Sequence, residues 1–217
     1  MTRSTASRAS ALAAVALVLP AALSACADGA PASASPRTSG PASPASSVAP
    51  STPDPVGAGA GTFGPGCSAI PTSGDGSFGT MATRPVATAA AGDPLLRTLA
   101  AALTETGLAR TMDAAAGLTV LAPTDDAFAK LPSQTLDEVL ADRALLTRLL
   151  RHHVIRGRLA PDQLAGRHTT LAGDTLEVAG SGEDLTVTGN DAHVLCGNIP
   201  TANATVYLID TVLVPRS

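Results

Sequence analysis

Two adjacent acids, Asp125 and Asp126, stand in the stretch "LTVLAPTDDAFAKLP" between an apolar run and an amphipathic turn. Paired carboxylates could share a proton as an acid–base pair or hold a divalent cation. Either task needs more titratable groups, and no histidine or further acid lies nearby in sequence. Helix initiation accounts for both. Thr124, after Pro123, can cap the turn that carries Phe128 and Leu131 by accepting a backbone N–H bond. Asp125 and Asp126 then occupy the first turn, where negative charge meets the positive helix end.

The other reactive residue types fare similarly. "GDGSFG", from Gly74 to Gly79, matches the spacing of a dinucleotide-binding loop, but that loop needs a strand before it and a helix after it. Here "CSAIPTS" precedes and "TMATRPV" follows, so a plain loop is expected. No G-x-S-x-G elbow gives any serine a nucleophile's context. His152 and His153 are adjacent, so on a helix they diverge by about 100° and form no zinc-binding face. His193 and Cys196 are three apart in a strand-like run and face opposite sides. His168 stands alone. His153 reads as a core histidine with its hydrogen bonds satisfied. No catalytic, cofactor or metal site is therefore expected.

Bulk properties narrow the class. The chain has 217 residues and a net charge of −4, with no Trp, one Tyr and three Phe. That charge argues against the dense basic face that nucleic acid needs, and rings that could stack on bases are scarce. Residues 1–25 read as a signal peptide: Arg3 and Arg8, an apolar run over 11–23, then Leu23-Ser24-Ala25 before Cys26. That ending resembles the bacterial lipobox, in which the cysteine thiol takes a diacylglycerol. The implied product is a membrane-anchored protein on the extracytoplasmic face, held by acyl chains on Cys26. Residues 26–66 are almost entirely Ala, Pro, Ser, Gly and Thr, too poor in bulky apolar groups to fold, and are expected to form a disordered tether. In an exported chain the two remaining cysteines, Cys67 and Cys196, are expected to pair. Their disulfide would close a loop of about 130 residues.

Residues 67–217 are long enough for one core-bearing domain. Asp93 and Pro94 open a helical pattern in which Leu95, Leu96, Leu99 and Leu103 share a face and Gly107 supplies the stop. Asp142 opens another, with Leu145, Leu146, Leu149, Leu150 and His153 at helical spacing. Past residue 168 the period changes to short β-rich runs split by Gly, Asp and Asn. An α+β domain follows, with a helical layer on a largely antiparallel sheet or small barrel.

Three segments in this order resemble the fasciclin family. "LTVLAPTDDAFAKLP" is similar to its strand–A-P-T-[DN]-x-A-F–helix signature, "LLTRLLRHHVIRGRL" to its L-x-Y-H-V-V region, and "TANATVYLIDTVLVP" to its closing strands. The cysteines in "GPGC" and "VLCGN" bring the chain nearest to single-domain secreted or lipid-anchored antigens of mycobacteria and related actinobacteria. The resemblance implies a β-sheet wedge wrapped by helices. It also implies a non-enzymatic role in adhesion to wall, matrix or host protein or glycan. A small-ligand-binding or sensing lipoprotein is the alternative. His152 stands where the family has Tyr, Ala204 replaces a Gly and Tyr207 a His. The adhesive role tied to the Tyr-His pair in animal members is therefore not carried to His152, and only weakly to His153.

Overall fold

The computed structural model describes residues 59–215. The expected signal peptide, Cys26 and most of the expected tether lie outside the described residues. Helices dominate the first part: α1 Phe78–Thr83, α2 Val86–Gly92, α3 Arg97–Thr106, α4 Leu108–Asp113, α5 Asp125–Ala129, α6 Ser133–Ala141 and α7 Arg143–His152. Strand β1, Leu118–Pro123, lies among them. After β2, Val154–Arg156, and the short α8, Pro161–Leu164, come β3 Gly166–Thr169, β4 Thr175–Ser181, β5 Asp184–Val187, β6 Ala192–Pro200 and β7 Ala204–Ile209.

The strands form one sheet in the order β2-β1-β7-β6-β5-β4-β3. Every pairing is antiparallel except β1 with β7, which run parallel in register from Leu118 opposite Ala204 to Pro123 opposite Ile209. A bridge between Ile155 and Thr170 brings the two ends of the sheet together, so it curls into a wedge close to a barrel. The central strands β1 and β7 are buried along their whole length. Successive side chains point to opposite faces, so each strand serves two cores. Leu118, Val120, Ala122, Ala204, Val206 and Leu208 join the helical core. Leu121, Tyr207 and Ile209 join a second core inside the curl, with Leu176, Leu185 and Val187.

Helix α7 starts as its sequence predicts. Asp142 accepts N–H bonds from Ala144 and Leu145, and Leu146, Leu149 and Leu150 are buried. The α3 segment differs at its start. It begins at Arg97, while Asp93 accepts the N–H of Leu95 in a preceding turn. The acceptor that reaches the first turn of α3 is Asp125, whose carboxylate takes the Thr98 N–H at 2.8 Å. Gly107 closes the helix in the left-handed conformation, as expected. Helix α2 is also capped from a distance. Asn203 accepts from the Val86 N–H, and Asp113 accepts from the N–H groups of Ala87 and Thr88. The Asn203 amide also donates to the carbonyls of Met112 and Ala115, tying α2 and α4 to the turn before β7.

These contacts separate the two acids of the opening motif. Thr124 accepts the Ala127 N–H and caps α5, and both acids sit in its first turn. Asp125 alone also caps α3. Asp125→Ala is expected to cost about 1–2 kcal/mol, the range for a lost cap. Asp126→Ala, at an exposed position, is expected to cost about 0.3–1 kcal/mol. Urea unfolding of the two variants checks this, and equal costs would remove the trans-capping role.

The amino-terminal edge of the fold lies ahead of Cys67. Phe63 exchanges backbone hydrogen bonds with Gly197, Asn198 donates to the Gly61 carbonyl, and the Phe63 ring lies 6.3 Å from that of Tyr207. The expected tether boundary at residue 66 is therefore too late. A side chain at Gly197 would overlap the Phe63 ring, so this glycine makes the seat. Cys67 follows in the 3-10 turn Pro65–Ala69 and is disulfide-bonded to Cys196, with the Cα atoms 4.8 Å apart. The "GDGSFG" segment forms a turn with Gly74 and Gly76 at positive φ, and Ser77 caps α1. A short helix thus follows where a plain loop was expected. Among the described residues no strand precedes it, and a dinucleotide loop would need one.

Candidate functional site

The end of α7 delivers two histidines into different surroundings. Helical spacing carries His153 inward with Leu146, Leu149 and Leu150, and it is 1% exposed. Its Nε2 lies 2.9 Å from the backbone nitrogen of Leu213, an obligate donor. Nε2 must therefore accept, and the ring proton sits on Nδ1, which donates to the Leu149 carbonyl at 2.8 Å. Burial lowers its pKa to about 4, against the Leu149 bond, which favours the charged form; neighbouring His152 adds to the lowering. His153 is a neutral clamp between α7 and the chain after β7. It has no exposed surface with which to touch a partner, so even the weak carry-over of the adhesive role falls away.

His152 is held from outside the helix. Its Nδ1 lies 2.7 Å from Oδ1 of Asp174, in the turn between β3 and β4. The Thr170 hydroxyl donates to the same oxygen. Burial acts to raise the Asp174 pKa, but the hydrogen bonds from Thr170 and His152 outweigh it and hold the carboxyl below its ordinary value. The two histidine rings meet edge to face at 6.3 Å. His152 and Asp174 border a polar cleft of about 430 Å³ with Thr175, Glu177, Thr188 and Asn190.

Thr, Asp and His in one cluster invite comparison with a nucleophile–base–acid relay. The connectivity differs. In a relay the imidazole lies between hydroxyl and carboxylate. Here the hydroxyl and the imidazole both converge on one carboxylate oxygen, so Thr170 is not activated by His152. What remains is a cluster of mutually hydrogen-bonded polar groups, with His152 and Asp174 at the edge of the cleft.

The other expected residues do not converge on this cleft. His168 bonds the Leu164 carbonyl, and exposed His193 bonds the Thr186 hydroxyl. Cys67 and Cys196 are consumed by their disulfide. Among the described residues no group of three or more His, Cys, Asp and Glu side chains is placed to hold a metal ion. Sequence reasoning missed Thr170 and Asp174. In "TLAGDT" they read as ordinary turn residues, and only the fold brings them to His152.

The chain resembles known proteins along most of its length. The fasciclin domain family model matches residues 94–215. Cell surface glycolipoprotein MPB83 of Mycobacterium bovis and MPT83 of Mycobacterium tuberculosis are each 40% identical over 214 residues, covering 95% of this chain and 94% of theirs. Immunogenic protein MPB70 of Mycobacterium bovis is 41% identical over 160 residues, 70% of this chain and 81% of that protein. A solved FAS1 domain pair from the insect cell adhesion molecule Fasciclin I shares 25% identity at a TM-score of 0.46, covering 57% of this chain and 46% of that one.

Proposed function

This chain belongs to the fasciclin-domain family, and from that premise we infer that it is a lipid-anchored surface protein whose single folded domain mediates adhesion to wall, matrix or host components. The observation that carries the reading is the 40% identity to proteins named as cell surface glycolipoproteins, over 95% of this chain. The Leu23-Ser24-Ala25-Cys26 box of this chain supports the anchor. The role is non-catalytic. Partner recognition falls to the folded domain, because a tether of small and proline residues offers little fixed surface. The cleft beside His152 and Asp174 supplies ordered polar groups where the family signature falls.

Two measurements test this. Cys26→Ser is expected to abolish the lipid-sized mass increment and release the protein from membranes or block its maturation. Equal membrane retention by the variant would end the anchoring claim. For adhesion, the folded domain should bind wall fractions or matrix weakly as a soluble monomer and more strongly on beads, where clustering raises effective concentration. Unfolding should abolish the signal. If a peptide of residues 27–58 binds alone while the folded domain binds nothing, recognition lies outside the domain.

A further inference from the structure

A second concavity lies elsewhere on the domain, between α4, α7 and the β1–β2 end of the sheet. It is about 390 Å³, within the roughly 300–1,000 Å³ of small-ligand sites. Its walls are aliphatic, including Leu108, Met112, Leu118 and Val154, and no aromatic ring or carboxylate lines it. Arg151 and Arg156 also line it and are exposed.

Neither guanidinium has an ion pair or a side-chain hydrogen bond among the described residues. By contrast, Arg84 pairs with Asp75, Arg167 with Glu177, and Arg158 is bonded to the carbonyls of Thr201 and Ala202. Of the acids within three residues of the lining, exposed Glu105 does not itself line the groove, and the other two are committed elsewhere. Asp113, next to Met112, accepts from Ala87 and Thr88, and Asp174, three residues past Leu171, accepts from His152 and Thr170. On a chain of net charge −4, this leaves an apolar groove with two unpaired, planar cationic donors. A guanidinium matches a carboxylate with two parallel hydrogen bonds. Aliphatic walls without rings favour an alkyl chain over a sugar or a base.

We propose that this groove binds a free fatty-acid carboxylate, with the alkyl chain along Leu108, Met112, Leu118 and Val154 and the head group on Arg151 and Arg156. The site is independent of the adhesion reading and of the His152 cleft. Occupancy would couple α4 to α7, the two helices that border the groove.

The test is calorimetric titration of the full chain carrying Cys26→Ser, so that no attached acyl chain competes. The probe is laurate below its micelle concentration. One saturable site is expected, at least tenfold weaker for dodecanol and undetectable for acetate. The double variant R151Q/R156Q should lose at least tenfold in affinity with its melting temperature unchanged. Should that variant fold poorly, Ala115→Trp places a large side chain in the groove while leaving both arginines in the sequence, and should also abolish binding. No saturable laurate binding, equal affinity for dodecanol, or laurate binding that survives Ala115→Trp would overturn the proposal. So would binding to anionic phospholipid vesicles without binding to monomeric laurate, which would assign the arginines to a membrane surface.

Discussion

Removing the disulfide with Cys67→Ala and Cys196→Ala together is expected to lower stability by about 4 kcal/mol. The bond joins residues 129 apart in sequence. The loop-entropy relation gives just under ~5 kcal/mol for a loop of that size, and native bridges in secreted domains contribute about 2–5 kcal/mol. The non-covalent contacts of the same segment temper the loss. Phe63 would still seat over Gly197 and beside Tyr207, and its backbone pairing would persist while the fold does. Cys196 is fully buried, so the alanine also leaves a small void. For a domain of this size the expected fall in melting temperature is about 10 °C or more. Urea melts of the oxidised protein, the reduced protein and the double variant should place the last two close together. A difference below about 1 kcal/mol between oxidised and reduced protein would show that the non-covalent contacts alone hold this edge of the fold.

Acid should weaken the domain well above the pH at which carboxylates titrate. His153 has an ordinary pKa of 6.5 when unfolded and about 4 when folded. Between those values the unfolded chain takes up a proton that the native state refuses, because the ring is buried and Nε2 already accepts the Leu213 N–H. Stability is therefore fully present above pH 6.5 and is lost as pH falls towards 4, at a slope approaching ~1.4 kcal/mol per pH unit, for a total of about 3 kcal/mol. Asp174 and Asp210 are held below their ordinary value of 3.8, so their contributions are lost only at lower pH. Asp93 acts in the opposite sense. Burial raises its pKa, against the Leu95 hydrogen bond, and one of its oxygens has no partner, so its protonation favours the folded state as pH falls. Asp93→Asn should remove that offset and steepen the acid loss. Denaturant melts from pH 8 to 4 measure the profile, and nitrogen chemical shifts of the imidazole report the tautomer. A flat profile between pH 7 and 4.5 in the Asp93→Asn background would refute the neutral clamp.

Features governed by near neighbours in the chain were legible from sequence. Asp142 caps the helix that follows it, Gly107 ends α3, Thr124 caps α5, and the leucine spacing of α7 carries His153 inward. The strand-rich second half and the cysteine pair were legible too. Features that join distant residues were not. Asn203 caps a helix starting 117 positions earlier, and Asp113 and Asp125 reach helices 25 to 27 positions away. A side chain–backbone bond leaves no periodic trace in sequence. Its donors are ordinary amides, and its acceptors are the same Asn and Asp that fill turns. The parallel pairing of β1 with β7 is silent for the same reason, since alternation marks a strand and not its partner. Phe63 was lost in a composition argument. One bulky residue in a stretch of Ala, Gly and Pro does not change the average, yet opposite a glycine it suffices to anchor the stretch.

The disulfide also decides how the domain would respond to being pulled. Force entering from the amino-terminal side meets Phe63 and Cys67 first and passes through a covalent bond to Cys196. That residue belongs to β6, which lies inside the sheet between β7 and β5. The pull is thus delivered to an interior strand with a neighbour on each side, not to the edge strands β2 or β3, which could be peeled away one hydrogen bond at a time. Residues 68–195 sit behind the crosslink, so tension between the amino-terminal segment and β6 bypasses the helical layer altogether. In oxidised protein that layer would keep its shape while the sheet carries the strain. Reduction would reroute the same force through α1 and α2 and unravel them first.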